Sequence, residues 1–485
     1  MRPILRIGLF TRPNNATLTV MNRSHALAVS ALGTMLTLVA FTAPLATLNA
    51  TASTLGADTA GRTWILSSMA IGLGAALLSS GTISDDFGRR RAFVIGCAVL
   101  AIGSLACALA PTTQVFVGAR VVQGLGGAAI VAASLGIIAH AFPPGPERAA
   151  ASGVWGASVG GGIALGPLVS ATLDRFANWR DAYWLLVVAV VVLAVAAMRV
   201  VEESRADNRR GLDLTGTILL AAGVSTLLAT LVEGRQGWVQ VHVVVLAVAA
   251  VVLLGLFVVV ELRSDTAMLD LGLFRQPPFV AATVAALATG AGIIALMSYM
   301  GAFLGGALGI SALGGAFLLF AWSGSSVVTA LLARRIPPRF GGRPQLGVGL
   351  IGVAVGQLAL VGISADSTWV RFLPGLLVAG VASGVLNAAL GREAVASVPA
   401  GRGGLGSGAN NTARYVGSAI GVTVVAVIAA RPGSGPAVAA SLATGWNHAA
   451  VVTAVISLVG AAAVFWAHRA TRSSTSIPST SAVNT

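Results

Sequence analysis

The chain has 485 residues, 56% of them hydrophobic and only 9% charged, with a mean hydropathy of +0.88. Soluble domains carry roughly a quarter charged residues, so this composition excludes a water-soluble globular fold and requires lipid as solvent. The formal net charge of +14 would suggest nucleic acid or an anionic surface in a soluble protein, but every basic residue is Arg and the arginines gather in alternate loops, which excludes a nucleic-acid footprint.

A helical span needs about 20 mostly apolar residues to cross about 30 Å of hydrocarbon. Cutting the apolar runs at charged or Gly/Pro-rich breaks predicts about fourteen spans. In chain order they are 25–48, 63–82, 92–110, 114–139, 150–172, 182–201, 214–233, 241–261, 278–300, 311–333, 345–364, 371–391, 405–429 and 447–467. The expected fold is therefore an all-α integral membrane protein. Residues 1–24 precede the first span as a cytoplasmic segment, with Met1 and Met21 both open as starts, and the apolar stretch after Arg23 runs past signal-peptide length. Cys97 and Cys107 share one span about three turns apart, too far for a disulfide, and read as small core residues. The Ser/Thr-rich end, 468–485, is expected to be a disordered cytoplasmic tail.

Charge sets the orientation. With the N-terminus inside, the outer loops hold only Arg62, Arg175, Arg180, Arg235, Arg371 and Arg431, while clusters such as Arg89-Arg90-Arg91 and Arg392 with Arg402 lie inside. This asymmetry places both termini in the cytoplasm and demands an even number of spans. Arg120 and Arg414 belong to neither set: both fall within spans, where a cation is costly and usually faces a bundle interior or an aqueous cavity.

The second span ends in Gly81-Thr82-Ile83-Ser84-Asp85-Asp86-Phe87-Gly88-Arg89-Arg90-Arg91. Gly81 permits close helix approach, Gly88 a tight turn, and Asp85 among arginines can exchange ion-pair partners when two bundles move. Pro338-Arg339-Phe340-Gly341-Gly342-Arg343 echoes this loop in the second half, as a duplicated six-helix unit would. The loop resembles the signature loop of the major facilitator superfamily. Arg120-Val121-Val122-Gln123-Gly124-Leu125-Gly126-Gly127 resembles that family's second motif, whose intramembrane Arg is linked to proton transfer, and Gly162-Ile163-Ala164-Leu165-Gly166-Pro167 resembles its antiporter motif, a kink associated with exporters.

Leu212-Asp213-Leu214-Thr215-Gly216 and the run from Gly404 to Arg414 resemble the fourteen-helix drug:proton antiporter branch. The resemblance implies six-helix bundles over 25–201 and 278–467, and a 202–277 linker carrying two inserted spans. It further implies multidrug or antibiotic efflux by alternating access, without cofactor or metal.

The sequence departs from that branch where its first span usually carries an acid. Phe41 stands there, Met69 replaces an expected tyrosine, and Ser170-Ala171 replaces a closing glycine pair. No Asp or Glu lies near mid-span; Glu393, beside Arg392, is the best remaining proton-carrier candidate. A cavity holding Arg120 and no acid should favour neutral or anionic substrates. Candidate substrate contacts are Asn49, Gln123, Asn387, Asn410 and Asn411, each equally able to bond a neighbouring helix, with Trp155 and Trp322 as stacking surfaces or lipid-facing packing. Asp85, Arg89 and Arg90 are the expected cytoplasmic gate. No clustered His, Cys or acid pair and no phosphate loop appears, so the expectation is a monomeric, non-enzymatic exporter of small amphipathic molecules, driven by protons; a facilitator without proton coupling and a transport-inactive sensor are the alternatives.

Overall fold

The computed structural model describes residues 15–207, 211, 213–264, 267–336, 340–429 and 437–475. Pro338, Arg339, Arg431, Leu212 and the chain ends 1–14 and 476–485 lie outside them. Among the described residues the ordered elements are helices, as apolar segments without water to satisfy an open sheet edge must be.

The first span is not one uninterrupted helix. α1 (Asn15–Thr42) begins well before residue 25, and α2 (Pro44–Leu55) follows after a break at Ala43, closed by Gly56 at φ 65. Pro44 has no N–H to give the carbonyl of Ala40 four residues back, which is the cause of the break. The chain continues as α3 (Thr59–Phe87), α4 (Arg89–Leu109), α5 (Thr113–Ala141), α6 (Pro146–Phe176) and α7 (Asp181–Val200). Asp58 and Thr112 cap α3 and α5 by accepting from Gly61 N and Val115 N.

α8 (Leu214–Glu233) and α9 (Val241–Arg263) come next, the first capped by Asp213, whose side chain accepts from Gly216 N at 2.8 Å. α10 (Pro277–Thr289) and α11 (Ala295–Leu308) are one span joined by a π-turn at Gly290–Ile294. α12 (Ala312–Leu332), α13 (Gly342–Leu358), α14 (Leu373–Ala396), α15 (Gly403–Ala429) and α16 (Ala437–Thr475) complete the chain. The last helix runs on to Thr475, so residues 471–475 are helical rather than part of the expected tail.

Among the described residues thirteen spans are long and apolar enough to cross a membrane. α13, with 17 residues and about 25 Å long at 1.5 Å per residue, stands at the eleventh of the fourteen predicted spans and is the one not among these thirteen.

Two apolar cores organise the packing. Leu73, Phe93, Phe116, Trp155 and Tyr183 centre one core made chiefly by α1–α7, and Met300, Phe303, Leu350, Phe372 and Trp446 centre another made by α10–α16. α8 packs on α3 and α15, and Val224 and Leu228 fill the space that Gly74 leaves open. α9 packs on α8, yet only 17% of its most apolar window is buried, so most of its surface is left to lipid. The α3–α4, α7–α8 and α14–α15 connections meet on one face, through Ala206 N to Asp85 O and Arg89 to Gly401 O. The α2–α3, α4–α5 and α6–α7 connections meet on the other, through Trp179 to Thr54 and Arg180 to Ala110 O.

Candidate functional site

The loop after α3 is built around Gly88, whose φ of 128 is open to glycine and strained for other residues. The Glu203 carboxylate occupies the space of a Gly88 Cβ and accepts from Arg90 N at 3.0 Å and Arg91 N at 3.2 Å, placing negative charge on the N-terminus of α4. The Arg90 side chain also faces Glu203, at 3.8 Å. Arg90 therefore ties the end of α7 to α4 within one half of the protein and does not join the two halves, contrary to the expectation that it forms the gate with Asp85 and Arg89.

The tie between halves is made by Asp85, Arg89, Asp86 and Arg402, all buried. Asp85 Oδ1 accepts from Arg89 at 2.9 Å and Oδ2 accepts from Leu405 N at 2.9 Å, at the N-terminus of α15. Arg89 Nη2 donates to Gly401 O at 2.6 Å. Arg402 Nη1 donates to Asp86 Oδ1 at 2.6 Å, while Asp86 Oδ2 has no partner. Gly81 lets this crossing close: a Cβ there would strike the carbonyl of Gly404. Asp86 and Arg402 were missed by sequence reasoning, although Asp86 adjoins Asp85 and Arg402 directly precedes the Gly-rich start of α15.

Arg120 is fully buried inside the first core. Its Nη1 donates to Ala40 O at 2.6 Å and Gln123 Oε1 at 2.9 Å and lies 3.2 Å from Met69 Sδ, while Nη2 donates to Phe41 O at 3.1 Å. Gln123 passes the network on to Ser104 Oγ at 2.9 Å. The Ala40 carbonyl is the one that Pro44 leaves without its helical donor, so the guanidinium serves as the missing partner at the break of the first span. Arg120 and Gln123 thus belong to a buried network, in which Arg120 Nε alone has no partner, and do not line the cavity, correcting that expectation.

α6, which carries the Gly162–Pro167 motif, presses on the same break. Cβ atoms on Gly162 and Gly166 would collide with Leu38 and Thr42 of α1. Ser170, where the branch has glycine, donates to Ala43 O at 2.8 Å. Pro167 lies within α6, so both helices at this crossing contain a proline that interrupts their own hydrogen-bond ladder.

Between the halves lies a narrow apolar cavity of about 30 Å³ lined by Phe41, Leu45, Ile163, Met297, Trp322, Arg414 and Tyr415 among others. Phe41 meets Tyr415 edge-on at 5.4 Å between centroids. A polar recess of about 10 Å³ adjoins it, shared through Ile163, Ile294, Trp322 and Arg414 and lined also by Ser323, Ser326, Ser383 and Asn387. A third space of about 90 Å³ continues from Phe41 and Leu45 toward α8 and ends at Arg235. Arg235 donates to Thr423 Oγ1 at 3.3 Å, and burial lowers its pKa to about 10, which leaves it cationic at neutral pH. No carboxylate lines any of the three spaces.

The remaining candidates separate cleanly. Asn387 and Trp322 line the recess; Trp155 is buried against Gly391, in protein rather than lipid. Asn410 donates to Ala282 O at 3.0 Å, joining α15 to α10, and Asn411 donates to Ser407 O at 3.0 Å within α15. Asn49 is exposed and accepts from Arg62 at 2.8 Å. Glu393 lies at the end of α14, 3.7 Å from Arg392 and over Gly342 at the start of α13, away from the cavity.

Two helical bundles with a central cavity, tied by buried ion pairs at one face, define a multi-pass membrane transporter of small molecules. The profile of the Major Facilitator Superfamily matches residues 26–422, and the chain belongs to that family. It is 30% identical over 371 residues to the multidrug resistance protein Stp of Mycobacterium tuberculosis (strain CDC 1551 / Oshkosh), covering 76% of this chain and 69% of the relative. It is also 30% identical over 379 residues to the probable actinorhodin transporter of Streptomyces coelicolor (75% and 65% covered), and 30% over 378 residues to the puromycin resistance protein pur8 of Streptomyces alboniger (76% and 75%). The crystal structure of the human organic anion transporter MFSD10 (TETRAN) superposes with a TM-score of 0.64 at 17% identity, covering 91% of this chain and 99% of the other, a likeness of fold.

Proposed function

We propose that the chain exports small amphipathic organic compounds, of the drug or antibiotic kind, across a bacterial cytoplasmic membrane by alternating access. The observation that carries the reading is the pairing of a cavity between the two halves with buried, charge-assisted bonds that close them at one face only by joining α3–α4 to α15. Such bonds exist in one state of a rocking transporter and must break in the other. The names of the bacterial relatives, which speak of multidrug resistance, actinorhodin and puromycin, support export.

In this reading residues 25–201 and 278–467 are the moving bundles, 202–277 is the linker with two added spans, and the arginine-rich face and both termini lie in the cytoplasm. The protein works as a monomer. Asp85, Arg89, Asp86 and Arg402 hold the cytoplasmic gate shut, and Arg120 fixes the broken first span against α5. Proton coupling, the habit of the branch, has no carboxylate among the described cavity-lining residues to work through. That observation favours a second reading, transport driven by the substrate gradient alone.

Efflux of neutral, anionic and cationic dyes from cells expressing the chain, with and without a protonophore, tests both. Protonophore-sensitive efflux supports the proton antiporter and sends the search to the gate carboxylates; insensitive efflux supports the facilitator. No efflux of any dye from cells with the protein correctly inserted overturns export.

A further inference from the structure

We propose that Arg414, with Ser323, Ser326 and Asn387, forms a headgroup subsite that binds the negative end of an amphipathic organic anion, whose apolar body fills the adjoining cavity. The inference deepens the export reading and rests on it for the claim that the ligand is cargo.

Arg414 is 6% exposed and sits where α15 meets the π-turn of the α10–α11 span; a Cβ on Gly290 of that turn would strike the Arg414 carbonyl. Unlike Arg120, whose Nη atoms have four partners, the Arg414 guanidinium takes part in none of the hydrogen bonds or ion pairs of the described residues. It opens into both the apolar cavity and the polar recess. The buried hydroxyls of Ser323 and Ser326 on α12 have no partner, and neither does Asn387 Oδ1 on α14. These side chains line the same recess as Arg414.

Unpaired polar groups in a membrane interior destabilise the protein, and a lone cation does so most. Their convergence on one recess from α12, α14 and α15 is what a ligand site requires: a permanent charge and two hydroxyl donors for an oxyanion, with the Asn387 amide oxygen beside them free to accept from a hydroxyl or N–H of the same ligand. The partner must be anionic, because the recess holds no carboxylate to balance Arg414 or to attract a cation. It must also be amphipathic, because the recess shares Ile163, Ile294 and Trp322 with an apolar cavity, which must widen from this closed arrangement to take the body of the ligand. Gly160 and Ile163 of α6 close the recess from the other bundle, so an occupant would bridge the two halves.

The test uses three probes with one body: pyrenebutyrate, pyrenebutanol and pyrenebutyl-trimethylammonium. Equilibrium binding to the full chain in zwitterionic nanodiscs is read by quenching of tryptophan fluorescence, and transport is read in proteoliposomes. The parent should bind the butyrate at least about tenfold more tightly than the butanol, and the ammonium most weakly. Arg414→Gln should erase the preference for the anion while leaving butanol affinity within about twofold, and its thermal stability without ligand should equal or exceed the parent's, since it removes an unpaired buried charge. Ser323→Ala with Ser326→Ala should weaken butyrate binding severalfold and keep the preference over the ammonium.

Equal affinities for the three probes in the parent, or an undiminished anion preference in Arg414→Gln, overturns the subsite. If the butanol is transported by parent and variant alike without head-group discrimination, export stands and the subsite falls. If no probe is transported but the butyrate binds through Arg414, the subsite stands and the export reading falls.

Discussion

Arg402→Gln is the sharpest perturbation of the gate. Its guanidinium and the Asp86 carboxylate meet at 2.6 Å with side chains 6% and 2% exposed, and Asp86 Oδ2 already lacks a partner. Removing one member of a buried pair costs about 3–5 kcal/mol. The pair lies at a helix end near water, so the lower figure applies, about 3 kcal/mol, which shifts a two-state equilibrium by more than about a hundredfold. All of it falls on the state closed at this face, because the Asp86–Arg402 bond spans the two halves.

A cysteine at Ser407, fully buried behind the gate where its hydroxyl donates to Val131 O at 3.1 Å, reports the opening in a chain with Cys97 and Cys107 replaced by Ala. Inside-out vesicles treated with a membrane-impermeant maleimide should label that cysteine at least about tenfold faster in Arg402→Gln than in the parent. Adding Asp86→Asn removes the stranded charge and should bring the rate partly back. A rate unchanged by Arg402→Gln refutes the assignment of this pair to the gate.

Arg120→Ala should abolish transport while membrane insertion, followed by protease protection, stays normal; Arg120→Lys should rescue little, since one ammonium cannot reach Ala40 O, Phe41 O and Gln123 together. Gly81→Val should hold the halves apart, raising labelling of the Ser407 reporter and lowering transport more than about tenfold, because its Cβ cannot pass the Gly404 carbonyl. Pro44→Ala returns a donor to Ala40 O in competition with Arg120, and is expected to leave expression intact while reducing the transport rate severalfold. Ser170→Ala removes the bond to Ala43 O and should cost about 1 kcal/mol in detergent unfolding, with transport retained.

What the sequence made legible was local. Apolar run length located the spans, and the spacing of Gly81, Asp85, Gly88 and Arg89 located one side of the inter-bundle tie proposed as the gate, because glycine contacts and short ion pairs at a helix end are fixed by nearby residues. The other side of the gate, Arg402, and the distinction between Arg120 and Arg414 depend on which helices meet hundreds of residues apart. Both arginines read alike along the chain; packing gives one of them four acceptors and leaves the other facing empty space. The break in the first span carried a local signal, Pro44, hidden within a run whose hydropathy says only that it spans.

The departures from the family pattern fall in one place. Phe41 stands where an acid is expected and gives its carbonyl to Arg120; Met69 stands where a tyrosine is expected and gives its sulfur to the same guanidinium; Ser170 stands where a glycine is expected and bonds the carbonyl at the break beside them. An acid at position 41 would have a buried cation nearby and a cavity in front of it. With phenylalanine there, Arg120 is balanced by carbonyl dipoles that hold no titratable proton, and the ring packs on Tyr415, next to Arg414. The chemistry removed is the means of exchanging a proton at this point, and the charge left facing the cavity is Arg414 alone, with Arg235 at the far end of the path. In the export reading proposed above, a cavity so arranged disfavours lipophilic cations and suits neutral or anionic cargo.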